Sequence, residues 1–272
     1  MTDDAAAKVT TRAGAHSADR SDAPSLTLSG SVALVTGATS GLGRTIAGKL
    51  AAAGCEVLLN YAHDDHAARD TERQLAEAGG KVRLMRADIG TPLGAVRLLD
   101  DIRRTHGRLD ILVHSAASFH PAPTTAPHIG QSLRDGAVTL GPLLYGASRL
   151  GELMTAGAGR IVAISSTGAH AVVPGYAGTA MAKAALETLV RYLAVELAGR
   201  GIAVNAVAAG KLADLGADAL PAIVREQLVR RSATGHLATR AEVADVVSLL
   251  CRPEAGGLHG QVLTVDGGAT LR

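Results

Sequence analysis

Short apolar runs recur along the chain, separated by stretches of helical periodicity, and that alternation constrains the fold more than any other feature. The runs are Val32–Thr36, Val57–Asn60, Val82–Arg86, Leu109–Val113, Arg160–Ser165, Ile202–Val207 and Gln261–Val265. Several are apolar on consecutive residues, as strands buried on both faces of a parallel sheet require. Between them lie helix-length segments such as Ala67–Ala78, Leu93–Thr105 and Ala241–Leu250. After Gly175, the residues Leu186, Leu189, Leu193 and Leu197 fall on one helical stripe. Strand–helix alternation with right-handed crossovers predicts an α/β, doubly wound parallel sheet with helices on both faces. No linker interrupts the pattern, so residues 29–272 are expected to form a single domain.

Residues 1–28 are rich in Ala, Asp, Thr, Ser and Arg and lack the apolar stretch of a signal peptide, so a disordered N-terminal tail is expected there. No run of about 18 apolar residues occurs, which predicts a cytoplasmic protein with no membrane span. Composition narrows the function classes. Only five residues are aromatic (Tyr61, Phe119, Tyr145, Tyr176 and Tyr192), and Trp is absent. Stacking platforms for single-stranded nucleic acid are therefore disfavoured. The 27 basic and 25 acidic residues are interspersed, leaving no electrostatic footprint for nucleic acid or anionic lipid. Two cysteines, Cys55 and Cys251, exclude a disulfide framework and a thiolate zinc site.

The first apolar run ends in Thr36-Gly37-Ala38-Thr39-Ser40-Gly41-Leu42-Gly43-Arg44, which opens a helical pattern. Glycines at this place permit a tight turn, close backbone approach to a pyrophosphate and tight helix–strand packing. The phosphates then sit at the positive end of the helix. This is the arrangement of a Rossmann-type dinucleotide site.

The spacing Thr-Gly-x-x-x-Gly-x-Gly resembles the cofactor loop of the short-chain dehydrogenase/reductase superfamily, and further landmarks follow in the family's order over residues 30–270. Arg86-Ala87-Asp88-Ile89 resembles the strand end whose Asp contacts adenine. His114-Ser115-Ala116-Ala117 stands where the family usually has Asn-Asn-Ala-Gly. Ile164-Ser165-Ser166 resembles the strand carrying the catalytic Ser, and Lys183 opens a segment similar to the active-site helix. Val204–Gly210 and Gly260–Gly268 match later landmarks. The resemblance implies an NAD(P)-dependent oxidoreductase. Its cofactor contacts would be Gly37, Thr39, Ser40, Gly41, Leu42, Gly43, His63, Asp88, Ile89, Ser115, Ala116 and Lys183. It also implies a homodimer or homotetramer built through helices around Tyr145–Met154 and Ala180–Leu197.

The second strand ends Leu59-Asn60-Tyr61-Ala62-His63, with no acid before Asp64 and Asp65 to accept from a ribose 2′-hydroxyl. That absence favours NADP and leaves NAD open. No Arg or Lys lies in His63–His66, and Ser40 replaces the basic loop residue of many NADP-dependent relatives. Arg44 and His63 are the candidate substitutes.

The catalytic pattern departs from the common one. Most of the superfamily places Tyr four residues before the Lys, but here Thr179 holds that position, and an aliphatic hydroxyl is too weak an acid for the role. The position of the family Asn is Thr139. Tyr176, however, lies seven residues before Lys183, close to two helical turns. Tyr-x6-Lys resembles the spacing in enoyl-acyl carrier protein reductases, as does Leu112-Val113-His114-Ser115. By that resemblance Tyr176 donates to a developing enolate oxygen, Lys183 binds ribose, and Ser166 faces the same pocket. The substrate would be an acyl thioester or related conjugated carbonyl. A non-redox, ligand-binding descendant and an atypical ketoreductase using Tyr176 are the alternatives. Further departures are Ala209 for the usual Pro and Asp214 for a nicotinamide-contacting Thr. Lys211–Arg231 is expected to cover the substrate. His120 and His128 lack metal spacing, so no metal is expected.

Overall fold

The computed structural model describes residues 28–154, 158–214 and 221–271. Residues 1–27 of the expected tail lie outside these. Leu28 is buried, and its N–H donates to the Ala53 carbonyl at 2.8 Å, so the folded body includes it.

Seven parallel strands form one sheet: β1 (Val32–Thr36), β2 (Glu56–Tyr61), β3 (Lys81–Arg86), β4 (Ile111–His114), β5 (Arg160–Ser166), β6 (Ala203–Ala209) and β7 (Val262–Val265). Their order is β3-β2-β1-β4-β5-β6-β7. The helices are α1 (Gly41–Ala52), α2 (Asp65–Glu77), α3 (Pro92–His106), α4 (Ile129–Leu153), α5 (Ala177–Ala198), α6 (Ala222–Arg231) and α7 (Arg240–Leu250). Chain order reverses across the sheet at β1, whose neighbours are β2 and β4. In such sheets the crevice beyond these strand ends is the natural ligand site.

The consecutive apolar residues divide between two cores. Leu34, Leu112, Ile161 and Val204 face α3, α4 and α5, joining Leu99, Leu143, Leu150 and Leu186. Ala33, Val35, Val113, Val162 and Val207 face the opposite way and pack with Ile46 and Leu50 of α1 and Val243 and Val247 of α7. A run apolar at every position is what this two-sided burial demands. The predicted α5 stripe is likewise inward, with Leu186, Leu193 and Leu197 buried. β3 and β7 form the margins; Lys81, Arg83 and Arg86 of β3 are exposed.

Element ends follow hydrogen bonding more than apolarity. β4 starts at Ile111 although Leu109 is fully buried, because Asp110 places its carboxylate, 2.7 Å away, on the Val32 N–H. Asp64, Thr91 and Thr239 cap α2, α3 and α7 with side-chain acceptors. Among the described residues no helix is long and apolar enough to cross a membrane.

Candidate active site

The C-terminal ends of β1, β2, β4, β5 and β6 open onto a cavity of about 880 Å³. Its floor is the glycine loop. Gly37 has φ +63°, and a Cβ there would stand 2.8 Å from Ala116 Cα. A Cβ on Gly43 would lie 2.1 Å from the Gly37 carbonyl oxygen, so the turn closes only with glycine. Gly41, at φ +51°, opens toward space, with nothing within 4 Å of the position a Cβ would take. Unlike α2, α3 and α7, α1 begins without a side-chain cap and with no acid in its first turn. Ser40, Gly41, Leu42 and Gly43 of this uncapped start line the cavity. Uncapped N–H groups at a helix N-terminus, on a backbone cleared by glycine, fit a diphosphate. Thr39 stands apart: it is absent from the lining, and its carbonyl instead accepts from the Thr71 hydroxyl of α2 at 3.1 Å.

At the far end the cavity meets Asn60, Tyr61, Ala62, His63, Asp88 and Ile89. Asn60 donates to the carbonyls of Met85 and Ala87, both at 3.1 Å, and so fixes the strand end carrying Asp88. Asp64 is occupied as the cap of α2. Asp65 accepts from the Tyr61 hydroxyl at 2.9 Å and from Arg86 at 3.3 Å. Arg86 thus reaches the turn after β2, whose residues 63–66 include no Arg or Lys; the β2–β3 register pairs it with Tyr61. Arg44 points away, toward Gln74 of α2.

His114 ties three elements together. The Thr139 carbonyl accepts from Nε2 at 2.8 Å, so Nδ1 is the acceptor and takes the Thr36 hydroxyl at 2.7 Å. Thr36 Oγ1 in turn accepts from the N–H groups of Ser115 and Ala116. Burial and the nearby Lys183 charge push the His114 pKa down to about 4, so the ring stays neutral. β1, β4 and α4 are joined through one imidazole. Thr139 itself is buried, and its hydroxyl has no partner among the described residues.

Ser166, Tyr176 and Lys183 line the cavity together. α5 begins at Ala177, one residue short of Tyr176, which serves as its N-cap residue. The two-turn spacing to Lys183 is therefore nearly, but not wholly, helical. Lys183 is buried, its ammonium donates to the Ile164 carbonyl at 2.7 Å, and desolvation pushes its pKa down to about 8. Burial raises the Tyr176 pKa, and a hydrogen bond with Ser166 offsets part of that rise. Ser166 also accepts from the Gly168 N–H at 3.1 Å, fixing the turn after β5. Thr179 is 4% exposed and does not line the cavity.

Two contacts that local sequence patterns do not reveal hold the Tyr176 ring. Phe119 lies against one side with centroids 5.4 Å apart. Gly168 lies on another, where a Cβ would stand 2.6 Å from Tyr176 Cε1. Ser118, Arg134 and Val138 line the cavity from outside the sequence motifs, and Ser165 lines it from within Ile164-Ser165-Ser166, where it was given no role of its own. A polar residue in a buried strand end marks Ser165; Arg134 carries no comparable signal.

Of the departures noted in the sequence, Ala209 lines the cavity and pairs with Val265 in the β6–β7 ladder. Asp214 faces Arg240 at 3.6 Å and is not part of the lining. In the expected covering segment, α6 buries none of its residues, while 215–220 lie outside the described residues. His120 bonds Asp135, and His128 begins α4 without capping it. Among the described residues no group of three or more metal-binding side chains is assembled.

Residues 37–270 match a family model described as Enoyl-(Acyl carrier protein) reductase. The chain is 37% identical over 248 residues to 1-cyclohexenylcarbonyl-CoA reductase of Streptomyces collinus, covering 88% of this chain and 87% of that protein. It is 30% identical to NADPH-dependent aldehyde reductase 2, chloroplastic, of Arabidopsis thaliana, covering 91% and 97%. A solved short-chain dehydrogenase/reductase from Serratia marcescens superposes with a TM-score of 0.82 at 32% identity, covering 89% of this chain and 99% of that one.

Proposed function

The chain belongs to the short-chain dehydrogenase/reductase superfamily and is an NAD(P)-dependent oxidoreductase, and we propose that it reduces the C=C bond of an enoyl thioester or related conjugated carbonyl. One observation carries this reading: the phenol that shares the cavity with Lys183 stands seven residues before it, while Thr179, four before it, is buried outside. The Streptomyces relative supports it, since its name describes a reductase of an α,β-unsaturated thioester.

In this reading the loop Gly37–Gly43 holds the cofactor diphosphate, Asp88 and Ile89 the adenine, Ser115 and Ala116 the adjoining backbone, and Lys183 the nicotinamide ribose. When bound, the reduced nicotinamide supplies a hydride to the substrate β-carbon. As the electron pair of the C=C bond moves toward the thioester oxygen, the Tyr176 hydroxyl donates a hydrogen bond to it. A raised pKa suits that task, because the phenol keeps its proton at neutral pH. Ser166 orients the hydroxyl, and the buried Lys183 ammonium adds positive potential. The α-carbon then takes a proton from solvent, completing a two-electron reduction. NADP is the favoured cofactor: Asp64 is taken up as the cap of α2 and Asp65 by Tyr61 and Arg86, so neither is free to accept from a ribose 2′-hydroxyl, and His63 lines this end of the cavity.

The trial is wild-type protein with NADPH and crotonyl or longer enoyl thioesters, followed by loss of reduced-cofactor absorbance. Turnover is expected, and Tyr176→Phe should lower kcat by about 10²–10³-fold, the cost of losing one oxyanion donor. Absence of turnover across chain lengths, or an undiminished rate in Tyr176→Phe, sinks the reading. Aldehyde or ketone reduction is the competing assignment, favoured by the Arabidopsis relative and by the Ser166–Tyr176 pair. Saturated ketones in the same assay separate the two.

We further propose that copies associate through α4 and α5, whose Ile129, Leu133, Leu144 and Met181 leave an exposed apolar groove.

A further inference from the structure

Asp135 lies on α4 and is 1% exposed, yet it is absent from the cavity lining and takes no part in the chemistry above. Burying a carboxylate is costly unless hydrogen bonds compensate for the water it loses. Here three bonds do so, and all come from one short stretch of the loop between β4 and α4. Ser118 Oγ donates to Oδ1 at 2.5 Å, the His120 N–H donates to Oδ2 at 3.2 Å, and His120 Nδ1 donates to Oδ1 at 2.8 Å. A carboxylate only accepts, so His120 carries its proton on Nδ1. Residues 118 and 120 are thereby both pinned to a single buried side chain.

The residue between them is Phe119, whose ring lies 5.4 Å from that of Tyr176 at an interplanar angle of 51°. The same loop is fastened again downstream, where the Ala122 N–H donates to the Gly175 carbonyl at 3.2 Å, immediately before Tyr176. On another side the tyrosine ring rests against Gly168, which has no side chain to yield. The ring is therefore clamped, and one jaw of the clamp is set from beneath by a carboxylate.

We infer that Asp135 is a positioning residue: it fixes Ser118 and His120 so that Phe119 holds the Tyr176 ring, and thus its hydroxyl, beside Ser166. The inference rests on Tyr176 as the working phenol only for its effect on rate. The positioning itself has an independent readout. Phe119 is the sole phenylalanine, Trp is absent, and there are four tyrosines. Among the described residues Phe119–Tyr176 is the one ring pair. In full-length protein labelled with ¹³C-tyrosine, the Tyr176 ring resonance is assigned by its loss in Tyr176→Phe and carries the ring-current shift of Phe119.

Phe119→Leu should abolish that shift, and Asp135→Leu should reduce it while leaving Tyr61, Tyr145 and Tyr192 in place. Asp135→Asn, which keeps one acceptor, should fall between, and it serves if Asp135→Leu does not fold. In turnover, Asp135→Leu should lower kcat by about tenfold to a hundredfold, the scale of a misplaced reacting group, with NADPH affinity held within about twofold. Combining it with Phe119→Leu should cost little more than the larger single loss, since both act through one contact. A Tyr176 resonance unmoved in both Asp135 variants overturns the inference, as do rate losses that multiply. If Tyr176→Phe turns over at full rate while the resonance still responds, the positioning stands and the catalytic reading of Tyr176 alone falls.

Discussion

Gly168 matters because it lacks a side chain at the place where the Tyr176 ring lies. A Cβ there would approach Cδ1 to 2.7 Å and Cε1 to 2.6 Å, and Phe119 limits the ring's retreat. Gly168→Ala should therefore displace the phenol by several tenths of an ångström and lower kcat by about tenfold. Steady-state kinetics against a thermal melt checks this; an unchanged kcat refutes the close fit. At this scale the sequence was partly legible. Tyr176, Lys183 and Ser166 were pointed to by the resemblance of their motifs to the family's, with the seven-residue spacing adding to it for Tyr176, and the three line one cavity. Gly168, Phe119 and Arg86 were not, because each acts on a residue distant along the chain and only the fold supplies that neighbour. Thr39 illustrates the converse: it sits inside the motif, but the turn sends its carbonyl to α2.

Between elements, His114 carries a consequence for pH. Its pKa falls from an ordinary 6.5 to about 4 in the folded protein. Within that window the unfolded chain binds a proton that the folded protein does not. Stability should therefore fall as the pH is lowered from 6.5 toward 4 and then level off, by about 3 kcal/mol in all. Asn at this position retains a donor and an acceptor but does not titrate. Denaturant midpoints measured across that range should differ in slope between wild type and His114→Asn; equal slopes would remove His114 from the account. The elements themselves were largely readable: β1 occupies its predicted span, and α7 starts one residue early at Arg240, behind the Thr239 capping box. The ends that moved did so for polar reasons that an apolar pattern does not contain. Asp110, whose carboxylate accepts from the Val32 N–H, precedes β4, which starts at Ile111.

For the molecule as a whole, alternating strands and helices were enough to foresee the doubly wound sheet, because two-sided burial leaves its mark on every central strand. What covers the outer faces of α4 and α5 is not written in that alternation. Leu133 is 71% exposed and Met181 67%, in one apolar groove. Patches of this kind mark association surfaces. Sedimentation equilibrium should give at least two chains per particle, and Leu133→Lys with Met181→Lys should release the monomer; a monomeric wild type rejects this interface. The sheet margins bear on the same question from the other side. β3 presents Lys81, Arg83 and Arg86 outward, and β7 has just four residues. Charged or very short margins discourage a foreign strand from adding to the ladder. Fibre-like growth by strand addition is thus opposed at both ends of the sheet, and the proposed helix interface would leave any assembly closed and countable.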